Sequence, residues 1–127
     1  MTAAHYATDF DEWLVETFER VGPFTMLIVL VEIGETTANL LRSSYVHVIG
    51  DETRWPDIVQ LLGDAGAAWN GAAFFQADRA GLVEDPVAQH RLGSLMRHLE
   101  GDRSLLKHAD FFDGRGLRLK IEEVAPD

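Results

Sequence analysis

The feature that most constrains this chain is an apolar run near its amino terminus. Residues 24–33 read FTMLIVLVEI, and the six residues from Met26 to Val31 are all apolar. A run of this length, rich in branched side chains and flanked by Gly22-Pro23 and Gly34, predicts a strand that is buried on both faces. Burial of each such side chain contributes roughly 1.5–3 kcal/mol, so the six together rival the net stability of a whole domain. The rest of the chain must therefore cover both faces of this strand.

Length and composition narrow the class of protein. The chain has 127 residues and no cysteine, which predicts one domain over residues 1–127 and excludes disulfides, zinc–thiolate sites and cysteine catalysis. The apolar run is shorter than the ~20 residues of a membrane helix. Residues 1–12 do not have the pattern of a secretory signal. We therefore expect a soluble, cytoplasmic protein with no membrane partner.

The charge of the chain is strongly acidic. There are 21 acids against 11 bases, which gives a net charge of −10. A surface of this sign disfavours binding to nucleic acid and to anionic membranes. It suits a basic protein partner, although solubility alone also accounts for an acidic surface.

Three segments have the spacing of amphipathic helices. They run from Thr8 to Val21, from Asp51 or Thr53 to Gly63 or Gly66, and from Asp85 to Gly101. Thr8 and Asp85 are typical helix caps, and Pro56 and Pro86 each fall in a first turn, where proline is tolerated. A further short turn is expected from Asp102 or Ser104.

Three further segments predict strands: Tyr45–Ile49, Ala72–Gln76 and Leu117–Glu122. Residues 36–42 fit either a hairpin strand or a short helix, because Leu40-Leu41 agrees with neither period. The order of elements predicts an α/β (or α+β) fold, a mixed four- to five-stranded sheet with three main helices packed on it. The alternation of strands and helices after Tyr45 favours right-handed crossovers and parallel pairing.

No complete catalytic or cofactor-binding motif occurs. Phosphate-binding loops, a nucleophile elbow, a metalloprotease helix and a calcium loop are all missing from the sequence, so we expect no cofactor and no metal. His90 and His98 lie eight residues apart on the third predicted helix, about 12 Å along its axis, which is too far to bind one ion. His108 and Asp110 form a close histidine–carboxylate pair, but this pattern is too common to indicate catalysis.

A positional argument gives the candidate catalytic residues. If Tyr45–Ile49 and Ala72–Gln76 are parallel neighbours, the residues that follow them emerge at one edge of the sheet, where ligands bind in open α/β folds. These residues are Asp51, Glu52, Asp78 and Arg79. Two carboxylates there could hold a divalent cation or act as an acid–base pair. The alternative, which the residue types favour, is that Asp51 caps a helix and Asp78-Arg79 forms a turn.

Aromatic residues give the candidate partner-binding residues. Trp13 and Trp55 fit the apolar stripes of predicted helices and are expected in the core. Trp69 fits no stripe, so it is the first candidate for an exposed anchor. Phe111-Phe112, beside a glycine-rich loop, is the second.

The sequence favours a binding or regulatory protein over an enzyme. Its acidity, small size and missing catalytic motifs suit a protein that acts through a partner surface, for example an inhibitor of a basic enzyme, as immunity proteins and antitoxins are. The alternative is a small enzyme or ligand-binding domain that uses the four strand-end residues. A homo-oligomer formed through an uncovered sheet face is a third hypothesis.

Overall fold

The computed structural model describes residues 7–35, 37–63, 69–78 and 81–119. The secondary structure elements in chain order are helix α1 (Asp9–Val21), strands β1 (Phe24–Ile33) and β2 (Ala38–Val48), helix α2 (Trp55–Leu62), strand β3 (Gly71–Gln76), helix α3 (Asp85–Gly101), a 3-10 helix (Arg103–His108) and strand β4 (Asp110–Asp113). The predicted α/β class, with three main helices on a four-stranded sheet, is confirmed.

The strands form one sheet in the order β2-β1-β3-β4, and all three pairings are antiparallel. The expected parallel pairing of the second and third strands is therefore wrong. These two strands do run in the same direction, but β1 lies between them and pairs with both. The physical reason is burial, because the most apolar strand of the chain gains most from having a neighbour on each side.

Of the segment 36–42, residues 38–42 belong to strand β2, not to a helix. Strand β2 is continuous over eleven residues and absorbs most of the predicted segment Tyr45–Ile49, while Thr36 lies outside the described residues. Opposite Leu30 and Val31 the register shifts, so Leu41 is an extra residue, a β-bulge. This bulge explains why Leu40-Leu41 fits neither the helical nor the strand period.

One face of the sheet, here called the α1 face, is covered by α1 and α2. Its core contains an aromatic cluster in which the Phe10 ring lies 5.0–5.6 Å from the rings of Trp13, Trp55, Phe74 and Phe112. The sheet residues of this cluster include Phe24, Met26, Ile28 and Leu30, all at most 1% exposed. The even-numbered residues of β1 therefore point to this side, as strand alternation requires.

The opposite face, here called the α3 face, is covered by α3 and the 3-10 helix. Val29 and Val31 of β1 pack there with Leu99 and Leu106. Both faces of β1 are thus buried, as the apolar run predicts, and eight consecutive residues from Phe24 to Val31 are buried. Among the described residues, each face of the sheet therefore packs against helices, and the homo-oligomer hypothesis stays a prediction.

The helix boundaries follow the predicted capping residues closely. The hydroxyl of Thr8 accepts a hydrogen bond from the Asp11 N–H at 3.1 Å, which caps α1. Helix α2 begins later than predicted, at Trp55, because the Asp57 carboxylate accepts from the Arg54 N–H at 2.9 Å and makes Arg54 the N-cap. Asp85, predicted as the N-cap of the third helix, is instead the first residue of α3, and the N-cap is Glu84.

The end of the described chain runs beside β4. Arg118 pairs with Phe112 in an antiparallel bridge, and the Leu119 N–H donates to the Phe111 carbonyl at 2.8 Å. The remainder of the predicted strand Leu117–Glu122 lies outside the described residues. Within the described ranges, no helix is both long enough and apolar enough to cross a membrane.

Candidate functional site

The described members of the predicted catalytic set follow β2 and β3, two strands that are not neighbours in the sheet. Asp51 and Glu52 lie in the turn after β2 and are exposed, and the Arg54 guanidinium donates to the Asp51 carbonyl. Asp78 follows β3 and accepts from the Arg91 guanidinium at 2.8 Å. Because β1 separates β2 from β3, the ends of the two strands are about 10 Å apart. Arg79 lies outside the described residues, and a catalytic role for this set stays a prediction.

A chain of hydrogen bonds at the same end of the sheet links β1, β2 and α3. The Thr25 hydroxyl lies 2.8 Å from Nδ1 of His47, and Nε2 of His47 lies 2.6 Å from Oδ1 of Asp85. The Val83 N–H donates to the same hydroxyl at 3.0 Å. In the neutral ring the Thr25 hydroxyl therefore donates to Nδ1, and the Nε2–H donates to Asp85.

The hydroxyl–imidazole–carboxylate order has the form of a catalytic triad, but the burial of its hydroxyl argues against nucleophilic catalysis. Thr25 is 0% exposed, so a substrate has no approach to its oxygen. The side chains of His47 and Asp85 are 30% and 66% exposed. The network is best interpreted as a structural link that joins α3 to the sheet. Sequence reasoning missed it because the β1–β2 register alone places His47 opposite Thr25.

Beside this network lies an exposed apolar surface. We call it the Ile49 patch and define it as Ile49, Leu82, Val83 and Pro86, which line a shallow depression of about 590 Å³ together with His47, Glu84 and Asp85. Ile49 is 63% exposed and Leu82 is 43% exposed. Ile49 was assigned to a strand from the sequence, but β2 ends at Val48 and leaves its side chain outside the core.

A second concave site is a groove on the α3 face, between α3 and the end of β3. Its volume is about 640 Å³. Leu27 and Phe75, which are paired across β1 and β3, form its floor. Polar side chains from α3 line its wall, namely His90, Arg91, Ser94 and His98. The sequence places His90 and His98 on one helix face, and the structure shows that this face borders the groove.

The predicted partner-binding aromatics are largely internal. Phe111 and Phe112 are 2% and 0% exposed, because β4 pairs with β3 and directs one ring to each face of the sheet. They therefore offer no surface to a partner in this structure. Trp69 is half-buried against the core of the α1 face, with its ring 6.3 Å from that of Trp55 in an edge-on contact. An anchor role for Trp69 stays a prediction.

Among the described residues, two aspartates have a lowered pKa, and neither of them lines a concave site. Hydrogen bonds from the Ser104 hydroxyl and N–H lower the pKa of Asp102, which caps the 3-10 helix. Partial burial acts to raise the pKa of Asp113, but the N–H groups of Leu117 and Arg115 outweigh it and the pKa is lowered. Such shifts are typical of carboxylates that accept hydrogen bonds from the backbone.

Metal binding has no support in the described part of the chain, where no three His, Asp or Glu side chains lie close enough to hold an ion together.

Comparison of the sequence with models of protein families and with curated proteins finds no match, and neither does comparison with solved structures. The functional interpretation therefore depends on the chemistry of the surface.

Proposed function

We propose that this protein is a non-enzymatic binding protein that recognises a basic partner protein through the Ile49 patch. The observation that carries the proposal is the 63% exposure of Ile49, next to a second exposed aliphatic residue, Leu82. Inhibition of a basic enzyme is one form that this binding would take.

The apolar part of the patch suits the centre of a protein interface. Its four residues line one depression, so they form a contiguous surface and not scattered single side chains. Contiguous exposed apolar surface surrounded by polar groups marks interaction sites on soluble proteins. One side of each of these aliphatic side chains already packs on the protein. They therefore lose little conformational freedom when a partner covers the other side.

The polar surroundings of the patch are acidic. Glu84 and Asp85 line the depression, and both are exposed. Asp51 and Glu52 follow Ile49 by two and three residues and are also exposed. The net charge of the whole chain is −10. Together with these local carboxylates, it attracts a positively charged partner and increases the rate at which the two proteins associate. We therefore assign two of the carboxylates predicted as catalytic, Asp51 and Glu52, to the rim of this binding surface.

The network around His47 supports binding over catalysis at this end of the sheet. The hydroxyl that would have to act as nucleophile is fully buried and already accepts a hydrogen bond from Val83. The same network fixes Asp85, and with it the start of α3, against β2. A preorganised surface of this kind reduces the entropy lost on binding.

The proposal is tested by affinity capture from the native host with three forms of the protein. The patch variant carries Ile49→Ser and Leu82→Ser, and the control carries Leu61→Ser at a residue of α2 that is 51% exposed. We expect a basic protein to be captured by the wild type and by the control, to be lost with the patch variant, and to be released as salt is raised.

Capture of the same proteins by the wild type and the patch variant would contradict the proposal. Light scattering separates a further outcome, in which the patch binds a second copy of the chain. A dimer mass for the wild type and a monomer mass for the patch variant would assign the surface to self-association instead of to a basic partner.

A further inference from the structure

The groove on the α3 face is a second site, and nothing in the proposed function uses it. We propose that it binds an elongated amphipathic carboxylate, with the hydrocarbon chain on the floor and the carboxylate at Arg91. The volume of about 640 Å³ lies within the range of small-molecule sites, roughly 300–1,000 Å³.

The shape of the groove indicates an elongated ligand. Its wall extends along α3 from Pro86 to His98, twelve residues apart, which corresponds to about 18 Å along the helix axis. Its floor is apolar, because Leu27 and Phe75 lie side by side on the sheet, and Leu95 adds to it from α3. A long hydrocarbon chain has the dimensions and the polarity to cover this floor.

The charges of the groove indicate an anion. Residues 86–99 of α3 contain no acid in a chain with 21 acids, and they include Arg91, Arg97, His90 and His98. Of these, Arg91 and both histidines line the groove. A neutral imidazole and a positively charged guanidinium each have N–H groups that can donate to a carboxylate. This wall thus offers N–H donors and positive charge to a negative group, although the protein as a whole is acidic.

Asp78 holds the Arg91 guanidinium in place. The bond of 2.8 Å between them uses one N–H of Arg91. A guanidinium carries five N–H donors, so this pair and a ligand carboxylate compete only partly for the same group. The ion pair connects the start of the loop after β3 to α3, and it positions Arg91 before a ligand arrives.

The proposal is tested by calorimetric titration of the full chain with decanoate, below its micelle concentration, and with decanol as the uncharged counterpart. We expect decanoate to bind, and decanol to bind at least about tenfold more weakly. A difference of this size corresponds to the loss of one charge-assisted hydrogen bond. Amide NMR shifts on decanoate addition are expected at Leu27 and Phe75, on the floor of the groove.

Three variants locate the site. Arg91→Gln is expected to weaken decanoate binding about tenfold or more, while Arg97→Gln, on the same helix but outside the groove lining, leaves it unchanged. Ser94→Trp fills the groove and is expected to abolish binding, with its fold checked by circular dichroism. Equal binding of decanoate and decanol, equal effects of the two arginine variants, unchanged binding by a folded Ser94→Trp variant, or no binding up to about 1 mM would each overturn the proposal.

Discussion

Thr25 makes hydrogen bonds to several segments at this end of the molecule, although it lies in an apolar strand. Its hydroxyl bonds to His47 and to the Val83 N–H, at 2.8 and 3.0 Å. Its backbone N–H donates to the Gly81 carbonyl, and its carbonyl accepts from the Ala77 N–H at 2.9 Å. One buried polar residue therefore ties β2 and the segment after β3 to β1.

Replacement of Thr25 by valine should be destabilising, although the two side chains have nearly the same shape. The change leaves the Val83 N–H and Nδ1 of His47 without the hydroxyl, for which we expect a loss of about 1–3 kcal/mol in the free energy of unfolding. Urea unfolding measures it.

Thr17 supplies the control for this substitution. It is 1% exposed, and its hydroxyl has no hydrogen-bond partner within the described residues. Thr17→Val should therefore change the free energy of unfolding by less than about 1 kcal/mol. Equal losses for the two variants would show that the hydroxyl bonds of Thr25 contribute nothing.

Asp113 gives the stability of the protein a dependence on acidic pH. The native state lowers the pKa of this carboxyl, so the native state binds fewer protons than the unfolded state as pH falls. Its contribution is present above the unfolded pKa, near 4, and is lost as pH falls through the lower native pKa. Asp113→Asn keeps an acceptor but has no charge to lose. The stability difference between wild type and Asp113→Asn should therefore shrink between pH 6 and pH 3 in urea unfolding, and a constant difference would contradict this.

Strands β1 and β2 occupy different places in the sheet, and their side chains differ accordingly. Strand β1 is central and apolar on both sides, whereas β2 is an edge strand of eleven residues. A long edge invites pairing with other chains. The bulge at Leu41 and the exposed polar residues Asn39, Arg42 and Ser43 interrupt that edge. These features oppose self-association through β2.

Strand β1 should not tolerate a charge. Ile28 is 0% exposed at the centre of the α1 face, so Ile28→Asp buries a carboxylate with no partner provided for it. We expect a loss of more than about 4 kcal/mol in the free energy of unfolding. Ile49→Asp, at a residue 63% exposed, should change it by about 0.5 kcal/mol or less. A urea midpoint near that of the wild type for Ile28→Asp would contradict the packing described for β1.

The two ends of the described chain are bound together. The Phe10 N–H donates to the Gly116 carbonyl at 3.0 Å, and the Arg118 N–H donates to the Asp9 carboxylate at 2.8 Å. The buried Asp11 carboxylate accepts from the Trp55 N–H at 2.7 Å, which links α1 to the start of α2. Helices α1 and α2 and the segment after β4 therefore form one connected layer.

Gly116 tests this connection. It has a φ of +79°, and a Cβ there would lie 2.7 Å from the Trp55 ring. We expect Gly116→Ala to lower the free energy of unfolding by about 2–4 kcal/mol, from backbone strain and displacement of the ring. Gly114→Ala, where a Cβ meets nothing within 4 Å, is the control and should be nearly neutral. Urea unfolding followed by tryptophan fluorescence measures the stability of both variants, and equal midpoints would contradict the close packing.

A region was predictable from the sequence where the interactions that form it join residues close together in the chain. The helices were predictable because caps such as Thr8 and spaced apolar residues act within a few positions of one another. Strand pairing joins residues far apart, so the preference for parallel pairing was wrong when β1 took the place between β2 and β3. The burial of Phe111 and Phe112 was missed for the same reason, since only the pairing of β4 with β3 covers both rings.

The sequence by itself determined the existence of β1, its double burial and the amphipathic helices needed to cover it, because these follow from local composition and periodicity. Only the tertiary structure decided which polar groups meet. The link from Thr25 through His47 to Asp85, the exposure of Ile49 beside Leu82, and the groove between α3 and Phe75 each join segments distant in the chain. Their energies depend on distances between side chains, and strand register and helix placement set those distances after the chain has folded.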